Sequence, residues 1–300
     1  MKRTLVFIPL FLAVFTLSIR AHAQVPAAEA SSCDRACLSQ FITQYLDSLV
    51  AHKPGALAVS DSVRFTEDTK EMKLGEGLWK TASKLTPYRQ EILDVRQGVA
   101  GVHAVVEENG TPIMLAARLK IVARKVTEIE TMVVRNQAEG MIFQIAAVKT
   151  ATPAMNVTPE KSQLNSREEA IRIASLYPAG LKAGSFVTAN TPFAPETYRF
   201  ENGQLMAGPG CTFFAGCTNI KTQQIPRLSE ITFRVGAVDE EQGIVWLRQD
   251  FGAGSVMGAD AAGQSLTCWE MFKVYGGQIH AVEAFMEKMP RGASSGWDTR

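Results

Sequence analysis

Histidine is scarce in this chain: four among 300 residues, and His22 lies in the extreme N-terminal segment. There is no Cys-x-x-Cys and no histidine at ligand spacing from a cysteine, so a zinc site is not expected. No Gly-x-Ser-x-Gly elbow occurs, and no cysteine–histidine pair can be placed. Gly208-Pro209-Gly210 and Gly75-Glu76-Gly77 lack the lysine and the strand-to-helix context of a phosphate loop. Basic residues are dispersed and the net charge is +1. That leaves no basic stripe for nucleic acid and no cluster for anionic lipid. Low-complexity tracts are absent. Past the N-terminus no stretch is long and apolar enough to cross a bilayer. No cofactor or metal is expected.

The N-terminus is the exception. Met1-Lys2-Arg3 is basic, Thr4 to Ile19 is nearly all apolar, and Ala21-His22-Ala23 is a small-x-small cleavage site before Gln24. Residues 1–23 therefore read as a signal peptide, and the protein as periplasmic or secreted. A membrane anchor would need about 20 apolar residues, and Arg20 and His22 interrupt the run. The composition, 46% hydrophobic and 20% charged, is that of ordinary globular material.

All five cysteines lie beyond the signal and meet an oxidising compartment. Cys211 and Cys217 flank a short Gly-containing loop and are expected to be bonded. Cys33 and Cys37 lie one helical turn apart; a bridge is geometrically possible there but unusual, and their pairing stays open. Cys268 reads as a buried free thiol in an apolar strand.

The chain repeats itself. Ala104-Val105-Val106-Glu107-Glu108-Asn109-Gly110 returns as Ala237-Val238-Asp239-Glu240-Glu241-Gln242-Gly243. Arg64-Phe65-Thr66-Glu67-Asp68 has a counterpart in Tyr198-Arg199-Phe200-Glu201-Asn202, and Tyr45 with Leu49 matches Tyr177 with Leu181. Val126-x-x-Ile129-Glu130 echoes Ile279-x-x-Val282-Glu283. A common order and a common offset imply a duplicated unit of roughly 130 residues, the size of one domain rather than of a solenoid repeat. The expected units are 28–150 and 163–300, joined by a linker over 150–165 carrying Pro153 and Pro159.

Each unit opens with a helix. From Asp34, Leu38, Phe41, Ile42, Tyr45, Leu46 and Leu49 fall at helical spacing, and Pro54-Gly55 follows as a stop. Ser166-Arg167-Glu168-Glu169 is a capping box, and Pro178 is expected to close the second helix. The second half of each unit is strand-like: Val99–Glu107, Ile113–Val122 and Lys125–Val134, then Glu230–Val238, Ile244–Asp250, Leu266–Val274 and Gln278–Phe285. Glu108-Asn109-Gly110, Glu241-Gln242-Gly243 and Tyr275-Gly276-Gly277 are hairpin turns. Residues 252–265 form an inserted loop rich in Gly, Ala and Ser.

A helix, a glutamate-bearing segment and a meander closing on Gly277-Gln278-Ile279-His280-Ala281-Val282-Glu283 resemble the nuclear transport factor 2-like (NTF2-like) superfamily. Its members include ketosteroid isomerase, scytalone dehydratase, limonene epoxide hydrolase and the SnoaL polyketide cyclases. Val238 to Val245, Glu270-Met271-Phe272-Lys273 and Ser295-Gly296-Trp297 are similar to a family of exported bacterial and fungal NTF2-like proteins. The resemblance covers nearly all of the chain after the signal and is specific for fold, weak for activity. It implies an α+β fold of two tandem cones, each a curved antiparallel sheet wrapped by N-terminal helices around an apolar pocket. It also implies that the cones pack through their sheets as an intramolecular pseudo-dimer, with a homodimer as a further option.

By alignment with ketosteroid isomerase, His280, Val282, Ala284 and Met286 face inward and Glu283 outward; in the first unit Thr127, Ile129 and Thr131 face inward. A one-residue slip would reverse this assignment. Glu67 and Glu201 take the place of the catalytic base, where an apolar cone raises a carboxyl toward a useful pKa; the alternative is a solvated turn residue. His280 is the candidate proton relay, or a satisfied strand histidine. The tyrosine and protonated aspartate of ketosteroid isomerase have no assignable match. Tyr198 and Trp269, with Val282 and Met286, are candidate pocket walls; Trp79 and Tyr88 are similar cases in the first unit. Arg248 and Asp250 alternate with Trp246 and read as an exposed ion-pair face or a polar wall, and His103 as structural. Asn156-Val157-Thr158 is a glycosylation sequon.

The expectation is an exported lyase or isomerase acting by proton transfer on a small apolar or sugar-like molecule, with the second unit as the active one. The competing expectation is a non-catalytic small-molecule-binding protein.

Overall fold

A computed structural model describes residues 33–252, 263–293 and Trp297. The signal segment 1–23 and most of the 252–265 loop lie outside the described residues. The fold is α+β, with two six-stranded mixed sheets and few helices.

The first unit opens with α1 (Arg35–Val50), capped by Asp34, whose carboxylate accepts from Cys37 N at 2.9 Å. Its apolar stripe, including Leu38, Ile42, Tyr45 and Leu49, is buried on the sheet. Cys33 and Cys37 are bonded, with Cα atoms 5.2 Å apart. Cys33 precedes the cap, so the bridge ties the incoming chain to the first turn rather than spanning a helix interior. The strands follow: β1 (Val59–Glu67), β2 (Lys70–Met72), β3 (Ala82–Asp94), β4 (Val99–Glu108), β5 (Thr111–Val122) and β6 (Lys125–Val134). Their order in the sheet is β2-β1-β6-β5-β4-β3. Asn109 and Gly110, both at positive φ, make the β4–β5 turn, as the Asn-Gly pair requires.

A connection containing α2 (Gln137–Gly140) leads to the second unit. There α3 (Arg167–Ala183) is followed by β7 (Phe193–Glu201), β8 (Gln204–Ala207), β9 (Thr232–Asp239), β10 (Ile244–Asp250), β11 (Gln264–Tyr275) and β12 (Gln278–Pro290). The order β8-β7-β12-β11-β10-β9 copies that of the first sheet.

Two expectations are corrected. The sheets are not purely antiparallel: β1 runs parallel to β6, and β7 to β12, because each meander ends beside the strand that began the unit. And Pro178 does not close the second helix. Proline removes one N–H and usually kinks or breaks a helix interior, but Tyr177, Pro178 and Leu181 are all buried and hold the helix on course. It ends at Gly184, whose φ of 73° supplies a left-handed cap.

Each unit has its own core between helix and sheet. A third apolar cluster joins the outer faces of the two sheets, with Tyr88, Ile92, Met114 and Met132 meeting Trp246, Trp269, Met271 and Phe285. His103 is buried in this seam, stacked on Phe285 with centroids 4.3 Å apart, and accepts from Trp246 Nε1 at 3.2 Å. Burial pushes its pKa down to about 3, so the ring is neutral. Trp246 and Arg248, read as part of an exposed face, are buried in the same seam. The face they occupy is covered by the other unit, which no local pattern in β10 reveals.

Candidate functional site

Period-2 alternation sorts β7 into two faces. Arg199 and Glu201 point into the second unit, and Tyr198 points to the seam. The position of Glu201 is set by the next two residues. Asn202 (φ 45°) and Gly203 (φ 81°) turn the chain into β8. The Asn202 carboxamide donates to the carbonyls of Gly140 (3.2 Å), Ile142 (2.9 Å) and Met286 (2.9 Å), and accepts from Met286 N at 2.8 Å. Glu201 is therefore anchored between β12 and the segment after α2.

Glu201 lines a cavity of about 290 Å³. Most of the wall is apolar, with Met141, Leu181, Met206, Ile225, Leu266 and Met286 among its residues. Phe214 adds to it from inside the ring closed by the Cys211–Cys217 disulfide, whose Cα atoms are 5.7 Å apart. Phe213 and Phe214 are both exposed, so the ring forms an apolar tip beside the cavity.

The polar groups gather around Glu201. Arg199 Nε lies 3.0 Å from its carboxylate, and Arg199 Nη1 donates to the Tyr177 hydroxyl at 3.1 Å. Burial alone would discourage the charge on Arg199, yet Glu201, Tyr177 and Glu270 together hold its proton more tightly than usual. Glu270 on β11 is buried and bonded by Gln249. Burial first, then the charge of Glu201, pushes its pKa up to about 8, so Glu270 is mostly neutral at pH 7. Cys268, two residues away on the same face, is a free buried thiol that burial holds protonated. Tyr177, Arg199, Gln249 and Glu270 were missed as site residues. Tyr177 carried a signal as the repeat partner of Tyr45, Arg199 lay inside the repeated segment around Glu201, and Glu270 inside Glu270-Met271-Phe272-Lys273; Gln249 carried none.

The other expected residues scatter. Met286 lines the cavity, and Val282 and Ala284 belong to the apolar core behind it. His280 is not in the cavity. Its Nδ1 is 2.6 Å from Glu196, and its ring stacks on Tyr275 with centroids 3.6 Å apart. The ladder between β12 and β7 shifts between Ile279 and Ala281, and this bulge at His280 breaks the alternation assumed for it. Tyr198 and Trp269 do not line this cavity either: Tyr198 donates to Glu283 at 3.1 Å in the seam, and Trp269 stacks on Trp246 at 4.0 Å.

In the first unit, Glu67 is buried and accepts from Leu78 N at 2.8 Å, with Arg135 3.5 Å away. Burial pushes its pKa up to about 7. The ground above it is taken by the turn Gly77–Lys80, whose Leu78 and Trp79 are buried; Trp79 meets Tyr45 edge to face at 5.6 Å. Ile129 belongs to this unit's core, and Thr131 donates to Thr66 O at 3.0 Å. Thr127 borders an arginine-lined cleft instead.

Among the described residues, no three of His, Cys, Asp and Glu stand close enough to hold a metal ion together. No helix among them is long and apolar enough to cross a membrane. Residues 163–286, the stretch that supplies most of the cavity wall, are similar to a family whose model is described as a domain of unknown function (DUF8021). No curated protein matches the chain.

Proposed function

We propose that this is a periplasmic or secreted protein of two NTF2-like cones, and that the second cone binds a small, largely apolar molecule and moves a proton on it. The helix-first order and the closing strand beside the opening one support the NTF2-like reading. Two disulfides support the exported setting. The observation that carries the chemistry is the Glu201 carboxylate on the wall of an otherwise mainly apolar cavity, with the neutral carboxyl of Glu270 behind it.

In this reading Glu201 takes a proton from a carbon next to a carbonyl or a leaving group, giving isomerisation, elimination or dehydration. Arg199 holds the carboxylate in place, and the Tyr177–Arg199 bond fixes the guanidinium. His280 takes no part, since it is bonded to Glu196.

A second reading, a non-catalytic binding protein, is favoured by one feature. Glu201 is already paired to Arg199 at 3.0 Å, so its carboxylate is engaged within the protein itself.

Deuterium exchange separates the two. Small cyclic ketones are incubated with the protein in heavy water, and loss of the α-proton signal is followed by NMR. Proton transfer predicts exchange above background that falls roughly 10²–10⁴-fold in Glu201→Gln. Saturable binding with no exchange in either protein supports the binding reading instead.

A further inference from the structure

The seam holds a second, smaller cavity of about 70 Å³. It lies on the other face of β7 and β12 from Glu201. Phe200 sits between Arg199 and Glu201 on β7, and Glu283 and Phe285 fall between Val282 and Met286 on β12. Tyr88 on β3 closes the space from the first unit, and Thr152 comes from the connection between units. Ala147 and Thr150, both exposed, mark its opening to solvent.

Three aromatic rings, Tyr88, Phe200 and Phe285, line this space together with Glu283, which is only 6% exposed. No lysine or arginine lines it. Glu283 accepts from the Tyr198 hydroxyl at 3.1 Å and from the Thr152 hydroxyl. Both meet the same oxygen, Oε1, and nothing among the described residues bonds Oε2. Tyr88 is 4% exposed, and its hydroxyl also has no hydrogen bond among the described residues. Burial first, then the nearby Glu283 and Tyr198, raise its pKa, so the phenol and the carboxyl stand close together.

Glu283 is unlike most buried carboxyl groups here. Asp94, Asp239, Glu130 and Glu201 each face an arginine within 3.0 Å. Glu283 has no ion-pair partner among the described residues, and only two hydroxyls oppose the effect of burial, which favours its protonated form. A carboxyl with a free oxygen, a free phenol oxygen and three rings suit a ligand that donates hydrogen bonds and is positively charged. Ring faces attract cations, and the carboxylate supplies the counter-charge. An anion would meet no cation on this wall.

We propose that this seam cavity binds a small organic ammonium ion, a primary amine of a few heavy atoms, with Glu283 as its counter-charge, the Tyr88 hydroxyl as a second acceptor, and the rings of Tyr88, Phe200 and Phe285 around its alkyl part. The ammonium ion takes the place of the carboxyl proton, which leaves to water. The site needs both units, since Tyr88 belongs to the first and Glu283 to the second.

Calorimetric titration of the whole protein with ethylammonium chloride tests this, with ethanol as the uncharged molecule of the same skeleton. Ethylammonium should bind saturably, once per chain, and ethanol should not. Glu283→Gln keeps an acceptor for Thr152 and Tyr198 but removes the charge, and should weaken binding about tenfold or more. Tyr88→Phe keeps the ring and removes one acceptor, for a loss of about fivefold. Glu168→Gln, on the exposed face of α3, should leave binding unchanged. If Glu283→Gln does not fold by circular dichroism, Tyr88→Phe decides. Failure to saturate by about 10 mM, equal binding of ethanol, or wild-type affinity in the folded variants would overturn the proposal. So would a loss in Glu201→Gln instead of Glu283→Gln, which would put the ligand in the other cavity.

Discussion

Arg35, at the first position of α1, grips Asp239 across the seam with two hydrogen bonds of 2.6 and 2.9 Å. Its repeat partner Arg167, at the first position of α3, grips Asp94 of the first unit at 3.0 and 2.6 Å. The exchange continues in the backbone: Asp239 accepts from Leu93 N at 3.1 Å, and Asp94 from Val238 N at 2.9 Å. The two units therefore relate to each other as the halves of a twofold dimer joined into one chain.

Breaking either grip leaves a guanidinium and a backbone N–H at the seam without their partner. Asp239→Ala and Asp94→Ala should each cost about 3–5 kcal/mol, the range for removing one member of a buried pair. Urea denaturation measures this, and the near-symmetry predicts similar losses. A loss under about 1 kcal/mol in both would mean the seam does not depend on these bridges.

The seam also depends on absent side chains. A Cβ on Gly236 would sit 2.3 Å from the Trp269 ring, and one on Gly101 2.5 Å from Trp246. Both rings are packed in place, so neither alanine fits without a shift. Gly236→Ala should destabilise by about 1–3 kcal/mol, read as a lowered thermal midpoint. An unchanged midpoint would show that the seam yields easily.

Two carboxyls make stability depend on pH in a stated direction. Glu67 and Glu270 are held at about 7 and about 8, above the ordinary carboxylate value. A raised folded-state pKa means that the folded protein binds more protons than the unfolded chain in between. Stability from these groups is full below pH 4.5 and is lost as pH rises through 7 and 8. Glu67→Gln and Glu270→Gln remove the titration. Each variant should gain on wild type between pH 4.5 and 8, by on the order of 2–4 kcal/mol. Chemical denaturation at pH 4.5 and 8.5 gives the comparison, and a gain that does not grow with pH contradicts the assignment.

The two repeated glutamates should differ in activity. Glu201 faces the cavity, but a Cβ on Gly77 would lie 2.6 Å from either oxygen of Glu67, so the chain is packed directly on that carboxyl. Glu67→Gln should leave proton exchange within about twofold of wild type while Glu201→Gln loses 10²–10⁴-fold. Equal losses at both would mean two working sites.

The Cys211–Cys217 ring should matter to the cavity more than to the fold. So short a loop stabilises by about 2 kcal/mol at most in the chain-entropy view. Cys217→Ser should therefore lower the thermal midpoint only modestly. It should weaken ligand binding about as much as Phe214→Ala does, because the bond holds Phe214 at the wall. Intact affinity in both variants would remove the ring from the site.

The duplication, helices α1 and α3 and seven of the strands were legible in local sequence. Period and turn chemistry act over a few residues, as in the Asn109-Gly110 and Gly276-Gly277 hairpins. β3 was missed: its pattern from Ala82 to Asp94 is broken by Pro87, and its ladder with β4 shifts twice. β1 and β7 were noticed for their glutamates and not as strands, because their partners β6 and β12 come late in each unit.

The sequence by itself determined that there are two similar units, that each begins with a helix, and where the cysteines could meet. These follow from contacts between near neighbours along the chain. Which glutamate faces a cavity was decided by the tertiary structure alone, since Gly77–Lys80 covers Glu67 and, among the described residues, no such turn covers Glu201. The same holds for His280, turned out of the cavity by a bulge, and for Tyr198, Trp246 and Trp269, claimed by a seam between faces far apart in sequence. A strand's two faces look alike until something packs on them, and here the second sheet is what packs.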